Sequence, residues 1–175
     1  MRKLLAICIA CFVAAACAWW YGGPEPPPRD PSASYFYDTV TGEVFVASAL
    51  EIPPIPNPNS PDGNESVRVV FYSCGTCDED TLFVGYYEKF TEAAKAEKLE
   101  QWRKIAAGEM WTDTSGPDQR RGQLISRNGS DWVELYSSEG EAIRFRSEMM
   151  GCPDGDGYGS PGECPPLFDE IDSKN

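Results

Sequence analysis

One stretch, residues 67–80, constrains the fold of this chain more than any other. Its first part, Val67–Tyr72, is β-branched and aromatic and predicts a strand. A Cys-x-x-Cys sequence at Cys74 and Cys77 follows directly, and after a few acidic residues a second apolar run, Leu82–Tyr87, begins. Strands with so short a connection pair as antiparallel neighbours, so both thiols are expected in the corner between them.

The segment before this strand pair predicts a hairpin and an extended wrap. Tyr35–Asp38 and Glu43–Ala47 flank a short turn in which Gly42 supplies a positive φ. The following segment, Ala49–Ile55, is extended, and its prolines confine it to a sheet edge or to a path across the surface.

A first helix is predicted directly after the strand pair. Thr91 is a suitable N-cap, and Gly108 lies just past the expected end near residue 107. Leu99, Trp102 and Ile105 recur at helical spacing. We expect this stripe to pack against the core.

A second hairpin and a second helix follow. Gln123–Arg127 and Asp131–Ser137 are joined across Asn128-Gly129, a strong signal for a tight turn. The residues 138–141 resemble a capping box, which opens a helix to Met150 with Ala142, Phe145 and Met149 on one face.

These elements predict an α+β fold, with a small, mostly antiparallel sheet of about six strands, two hairpins and two helices. The expected organisation is an N-terminal membrane anchor or lipoprotein signal over residues 1–21, a proline-rich linker over 22–34, the α+β domain over 35–168, and an acidic tail over 169–175. In a polyproline II conformation the linker holds the domain roughly 30 Å from the membrane.

The anchor has two forms that stay open. Arg2 and Lys3 precede Leu4–Tyr21, a run without a charge. In a lipoprotein signal, the small residues before Cys17 form the cleavage box and Cys17 carries the lipid. In an uncleaved transmembrane helix, the same run falls in the range of about 17–25 residues that spans a bilayer. Both forms predict a domain outside the cytoplasm.

Charge and composition exclude several classes of function. The net charge is −13, and such an acidic chain repels phosphate backbones, so no nucleic-acid binding is expected. The chain contains no histidine. This excludes Ser-His-Asp and Cys-His catalytic sites and every metal centre that needs a histidine ligand.

Four cysteines follow the anchor: Cys74, Cys77, Cys152 and Cys164. Outside the cytoplasm an even number of cysteines predicts disulfides. We expect local pairing, Cys74–Cys77 with Cys152–Cys164, and keep pairing across the two couples as the alternative. Zinc bound by all four thiolates is a third interpretation, because Cys-x-x-Cys is a common zinc-knuckle spacing. A redox-active Cys74/Cys77 pair is disfavoured, since the acidic residues that follow raise the thiol pKa.

Two acidic motifs carry weaker signals. Residues 154–159 alternate aspartate and glycine like a calcium loop, but Tyr158 stands where a ligand is needed, and an acidic glycine-rich loop is the expected structure. Asp78 and Asp80 belong to a charge run of the kind that is usually solvated surface. We therefore predict no cofactor and no catalytic residues.

Several short motifs occur in order along the predicted domain: FYDTVTGEVF at 36–45, IPPI at 52–55, YSCGTC at 72–77, FVGYYEKFT at 83–91, WVE at 132–134, EG at 139–140, and the pair Cys152 and Cys164. Together they resemble an uncharacterised family of small, membrane-anchored, extracytoplasmic bacterial proteins of the planctomycete type. The glycine-rich insert between the last two cysteines departs from that pattern. The resemblance implies topology and domain limits, and it implies no assigned activity.

The functional prediction is a membrane-tethered extracytoplasmic domain that acts as a non-catalytic binding or structural module of the bacterial envelope, with a protein partner expected there. Two alternatives stay open. One is a thiol–disulfide redox protein that uses Cys74 and Cys77, and the other is a structural domain stabilised by zinc at the four cysteines.

Overall fold

The computed structural model describes residues 30–75, 77, 79–109, 120–149 and 161–166. The strands in this part of the chain are β1 (Ala33–Asp38), β2 (Val44–Ser48), β3 (Ile55–Pro56), β4 (Glu65–Ser73), β5 (Leu82–Phe90), β6 (Gln123–Ser126), β7 (Val133–Glu134) and β8 (Gly162–Glu163). The α-helices are α1 (Glu92–Ala106) and α2 (Ser138–Met149), and a short 3₁₀ turn covers Glu79–Thr81.

The sheet is antiparallel throughout its described strands, and β4 and β5 form its centre. Its order is β2-β1-β4-β5-β6-β7, while β3 and β8 add short pairings to opposite ends of β4. The predicted α+β fold with two hairpins and two helices is confirmed. A bulge between Val70 and Phe71 shifts the register of β4 against β5, and Gly85 lies opposite this shift.

Two apolar clusters lie on one face of the sheet. Because strand side chains alternate between faces, Val70 and Tyr86 point the same way, and they form a cluster with Tyr72, Ile125 and Leu135. Ile143 of α2 packs on this cluster. At the other end of the sheet, a second cluster contains Phe36, Phe45 and Ile55.

The opposite face carries aromatic side chains in pairs. Tyr35 and Phe71 meet edge to face with ring centroids 5.1 Å apart, and Tyr37 and Tyr87 lie at the same separation. The first contact joins the neighbouring strands β1 and β4, and the second joins β1 to β5 across β4.

Helix α1 begins at the predicted residue, but its apolar side is exposed instead of packed against the core. Thr91 caps it by accepting a hydrogen bond from the Ala94 amide, and Gly108 follows its end with φ +71°. The prediction that Leu99, Trp102 and Ile105 pack into the core is wrong, because all three are exposed and no residue of the helix is fully buried. Apolar spacing places residues on one side of a helix without stating what that side contacts.

Helix α2 differs from the prediction in a similar way. Its N-cap is Ser137, whose hydroxyl accepts from the Gly140 amide, so the cap lies one residue earlier than expected. Phe145 and Met149 of the predicted apolar face are exposed. The helix instead packs through Ile143 and buries Ser147, whose hydroxyl donates to the carbonyl of Gly85.

The proline-containing segment pairs briefly with the sheet, and its residues 52–55 are buried, so the expected alternative of a path across the surface is wrong. Ile55–Pro56 pairs with the start of β4, and the amide of Phe90 donates to the Pro53 carbonyl at 2.9 Å. Lys95 Nζ donates to the Pro54 carbonyl. The segment therefore connects the first turns of α1 to the sheet.

Candidate functional site

A cleft of about 800 Å³ lies on the helix-bearing face of the sheet. The strands β4 and β5 form its floor, α1 and α2 supply parts of its walls, and the segment before the prolines contributes residues 49–52. A volume of this size is typical of sites for small ligands. We therefore take this cleft as the candidate functional site.

An ionic network forms part of the floor. Arg68 and Glu88 are cross-strand partners, and their side chains form an ion pair at 2.8 Å. Glu88 also accepts from the Gln123 side chain at 2.7 Å, while Arg68 donates to the carbonyls of Ala49 and Glu51. Because these partners come from four separate segments, the network fixes the cleft wall to the sheet.

Tyr86 completes the floor as a neutral group. Burial raises the pKa of its hydroxyl far above the ordinary value, and the negative charge of Glu88 raises it further. Tyr86 therefore stays protonated and can act only as a hydrogen-bonding and packing group near neutral pH.

The mouth of the cleft is apolar and exposed. Leu50 is 69% exposed, Tyr136 is 52% exposed and Trp102 is 40% exposed, and all three line the same cavity. Leu99 and Ile105 extend this surface along α1. Exposed apolar groups around a concavity are typical of binding sites rather than of an ordinary protein surface.

Charge in the cleft differs from charge in the whole chain. Among the described residues, its lining contains one more basic than acidic residue, although the net charge of the chain is −13: the basic residues are Arg68, Lys98, Arg120 and Arg144, and the acidic ones are Glu51, Glu88 and Glu163. Burial lowers the pKa of Lys98, although the nearby Glu97 opposes this shift.

Glu163 is an acidic group of the lining whose pKa is shifted. It is exposed, yet desolvation by its surroundings and then the charge of Glu88 raise the pKa of its carboxyl. Both effects favour the neutral form over the ionised one.

The cysteines pair differently from our expectation. Cys77 is bound to Cys164 with a Cα–Cα distance of 5.7 Å, so the predicted local pairs are wrong for both residues. Cys74 is also disulfide-bonded, and Cys152 and Cys17 lie outside the described residues. The register explains the pairing, because β8 pairs with the last residues of β4 and places Cys164 beside the β4–β5 connection.

Two metal sites were considered from the sequence, a zinc site at the four cysteines and a calcium loop at residues 154–159. A disulfide sulfur is no longer a thiolate, so the Cys77–Cys164 bridge disfavours the four-thiolate zinc site. Among the described residues, no group of three or more acidic or cysteine side chains could hold a metal ion. The Asp154–Gly159 motif and Asp78 lie outside the described residues, whereas Asp80 is exposed.

A second polar network has a structural role. Asp38 is fully buried and accepts hydrogen bonds from the amides of Val40 and Thr41 and from the side chains of Asn57 and Asn64. Burial would raise the pKa of this carboxyl, but the hydrogen bonds outweigh burial and hold the pKa far below its ordinary value. Asp38 thus joins the first hairpin to the loop before β4.

Sequence reasoning missed the residues of the cleft. The available signal was polar residues at inward positions of buried strands: Arg68 interrupts a run of valines, and Glu88 follows two tyrosines. Charged residues at such positions are usually paired. Nothing in the local pattern, however, connects these strands with Leu50, Tyr136 or Arg144.

No protein-family model, curated protein or solved structure matches this chain. In the described part of the chain, no helix has the length and apolar character needed to cross a membrane. The predicted anchor, residues 1–21, lies outside the described residues.

Proposed function

We propose that this protein is a membrane-tethered, extracytoplasmic binding module of the bacterial envelope, without catalytic activity, and that its ligand site is the cleft between α1 and α2. The observation that carries the proposal is a concave site with a fixed ionic floor and an exposed apolar mouth. The anchor and the linker predicted from the sequence support the tethered location. The expected protein partner in the envelope stays a prediction.

The state of the floor residues supports binding rather than catalysis. Glu88 is held by Arg68 and Gln123, and Tyr86 is kept neutral by burial. Each carboxylate oxygen of Glu88 accepts one of these hydrogen bonds, so the group is held in the floor and is less suited to act as a general base.

The redox alternative has less support. A reductase that uses a Cys-x-x-Cys motif alternates between a dithiol and a disulfide within that motif. Here Cys77 is bound to Cys164 instead of Cys74. The zinc-stabilised alternative is disfavoured by the same bridge.

The tether is tested by fractionation of cells that express the full-length protein with labelled palmitate. We expect the protein in the membrane fraction. Loss of label in Cys17→Ser indicates the lipoprotein form, and a membrane-bound protein without label indicates the transmembrane form. Recovery of intact protein from the soluble cytoplasm contradicts the proposal.

The ligand site is tested by native mass spectrometry of the full-length protein purified from its own envelope. Ala49 lines the cleft, so Ala49→Trp places an indole ring in it and obstructs it, and Ala93→Trp adds the same volume at an exposed position of α1 outside the cleft. We expect a co-purified small molecule with the wild type and the Ala93 variant but not with the Ala49 variant. Equal retention by all three proteins contradicts the assignment of the cleft.

A further inference from the structure

The cleft combines an apolar mouth with a lining whose described residues include one more basic than acidic group. Leu50, Trp102 and Tyr136 present large apolar surfaces to solvent around the opening. Such surfaces favour an apolar ring or chain, because covering them removes apolar area from water.

Two basic groups of the lining, Arg120 and Arg144, are not fully compensated within the described part of the chain. Arg120 is exposed there without a hydrogen bond or an ion pair in that part, and the recorded ion pair of Arg144 is with Glu148 of the same helix at 3.6 Å. An anion placed here gains attraction that the rest of this acidic chain does not offer.

The floor adds a donor without an acceptor. Arg68 is neutralised by Glu88, yet its Nε atom is buried and has no hydrogen-bond partner in the described residues. A buried donor without a partner carries a desolvation cost, which an acceptor atom of a ligand can reduce if the side chain shifts slightly.

From this arrangement we infer that the ligand of the cleft is an amphipathic anion, a small molecule with an apolar ring or chain and one carboxylate or comparable acidic group. The apolar part contacts Leu50, Trp102 and Tyr136, and the acidic group lies toward Arg120 and Arg144. The inference rests on the proposed function, because it takes the cleft as the ligand site. The volume of about 800 Å³ suits one such molecule.

Three probes of nearly equal shape separate charge from apolar contact: 2-naphthylacetate is anionic, 2-(2-naphthyl)ethanol is neutral, and 2-(2-naphthyl)ethylammonium is cationic. Their binding to the full-length protein in zwitterionic nanodiscs is measured by isothermal titration calorimetry, with empty nanodiscs as the blank. We expect the anion to bind about tenfold more tightly than the alcohol and the cation to bind most weakly.

Variants assign the two contacts. Arg120→Gln with Arg144→Gln should remove the advantage of the anion and leave the affinity of the alcohol unchanged. Arg146→Gln is the matched control, because Arg146 is exposed on the same helix and lines a different cavity. Trp102→Ala should weaken all three probes.

The outcomes distinguish the inference from the proposed function. If the alcohol or the cation binds as tightly as the anion and Trp102→Ala weakens that binding, the cleft is a ligand site and the inference of an anion is overturned. If none of the probes binds, or if Trp102→Ala leaves the affinity of the probes unchanged, the inference is overturned as well. The assignment of the cleft as the ligand site is overturned only if the Ala49→Trp protein retains the co-purified small molecule as well as the wild type does.

Discussion

Removal of the Cys77–Cys164 bridge is expected to have one of the largest effects on the stability of this domain. The two residues are 87 positions apart, so the bridge closes a loop that contains β5, β6, β7, β8 and both helices. In the chain-entropy model a loop of this length contributes about 4.6 kcal/mol at 25 °C. That is a large share of the typical stability of a domain, roughly 5–15 kcal/mol.

The second bridged cysteine sets a lower bound on this magnitude. Cys74 is disulfide-bonded as well, and the cross-pairing alternative joins it to Cys152. If that bridge already holds the same two segments together, removal of Cys77–Cys164 frees a loop of only about 15 residues, which corresponds to about 3 kcal/mol. The expected loss therefore lies between about 3 and 4.6 kcal/mol.

The assay is equilibrium unfolding in urea under non-reducing conditions, followed by tryptophan fluorescence. Cys77→Ala and Cys164→Ala should lower the free energy of unfolding by similar amounts, and the double variant should lose little more than either single variant. Alanine is chosen because Cys164 is buried, and a serine hydroxyl there would add a desolvation cost. With reductant present, the wild type should fall to the level of the variants or below it.

Two results would refute this reasoning. Additive losses in the single variants show that the residues act independently and are not partners. A non-reducing peptide map that links Cys74 to Cys77 restores the local pairing and removes the long loop on which the magnitude depends.

Three further predictions concern other parts of the molecule. Asp38→Asn should lower the melting temperature by roughly 5–10 °C. Because folding lowers the pKa of Asp38, the stability that its ionised carboxyl contributes is complete above the unfolded pKa of about 3.9 and is lost as the pH falls below that value. The variant should therefore lose less stability between pH 4 and pH 2 than the wild type does. Gly85→Ala should cost about 1–3 kcal/mol in urea unfolding, because the added Cβ overlaps the ring of Tyr72, whereas Gly75→Ala, which meets no atom within 4 Å, should be nearly neutral. The protein should not catalyse the reduction of insulin by dithiothreitol; turnover that is lost in Cys74→Ser would revive the redox alternative.

The sequence by itself determined the two helices and most of the strands, but not β8. The β-branched and aromatic runs predicted β4 and β5 because strand side chains alternate between two faces and favour such residues. Thr91, Gly108, Gly42 and Gly129 marked a cap and turns correctly, since their effects depend on hydrogen bonds and φ angles within a few residues.

The tertiary structure alone decided which distant groups meet. Cys77 pairs with Cys164 because β8 adds to the end of β4, and no local pattern encodes that register. The apolar stripe of α1 is exposed because α2, through Ile143, covers the central cluster while α1 stands at the border of the cleft. Helical periodicity indicates which residues lie on the same side of a helix. What that side packs against depends on the sum of many weak interactions over the whole domain. The cleft likewise depends on the tertiary structure, because its floor and its mouth come from segments that only the fold brings together.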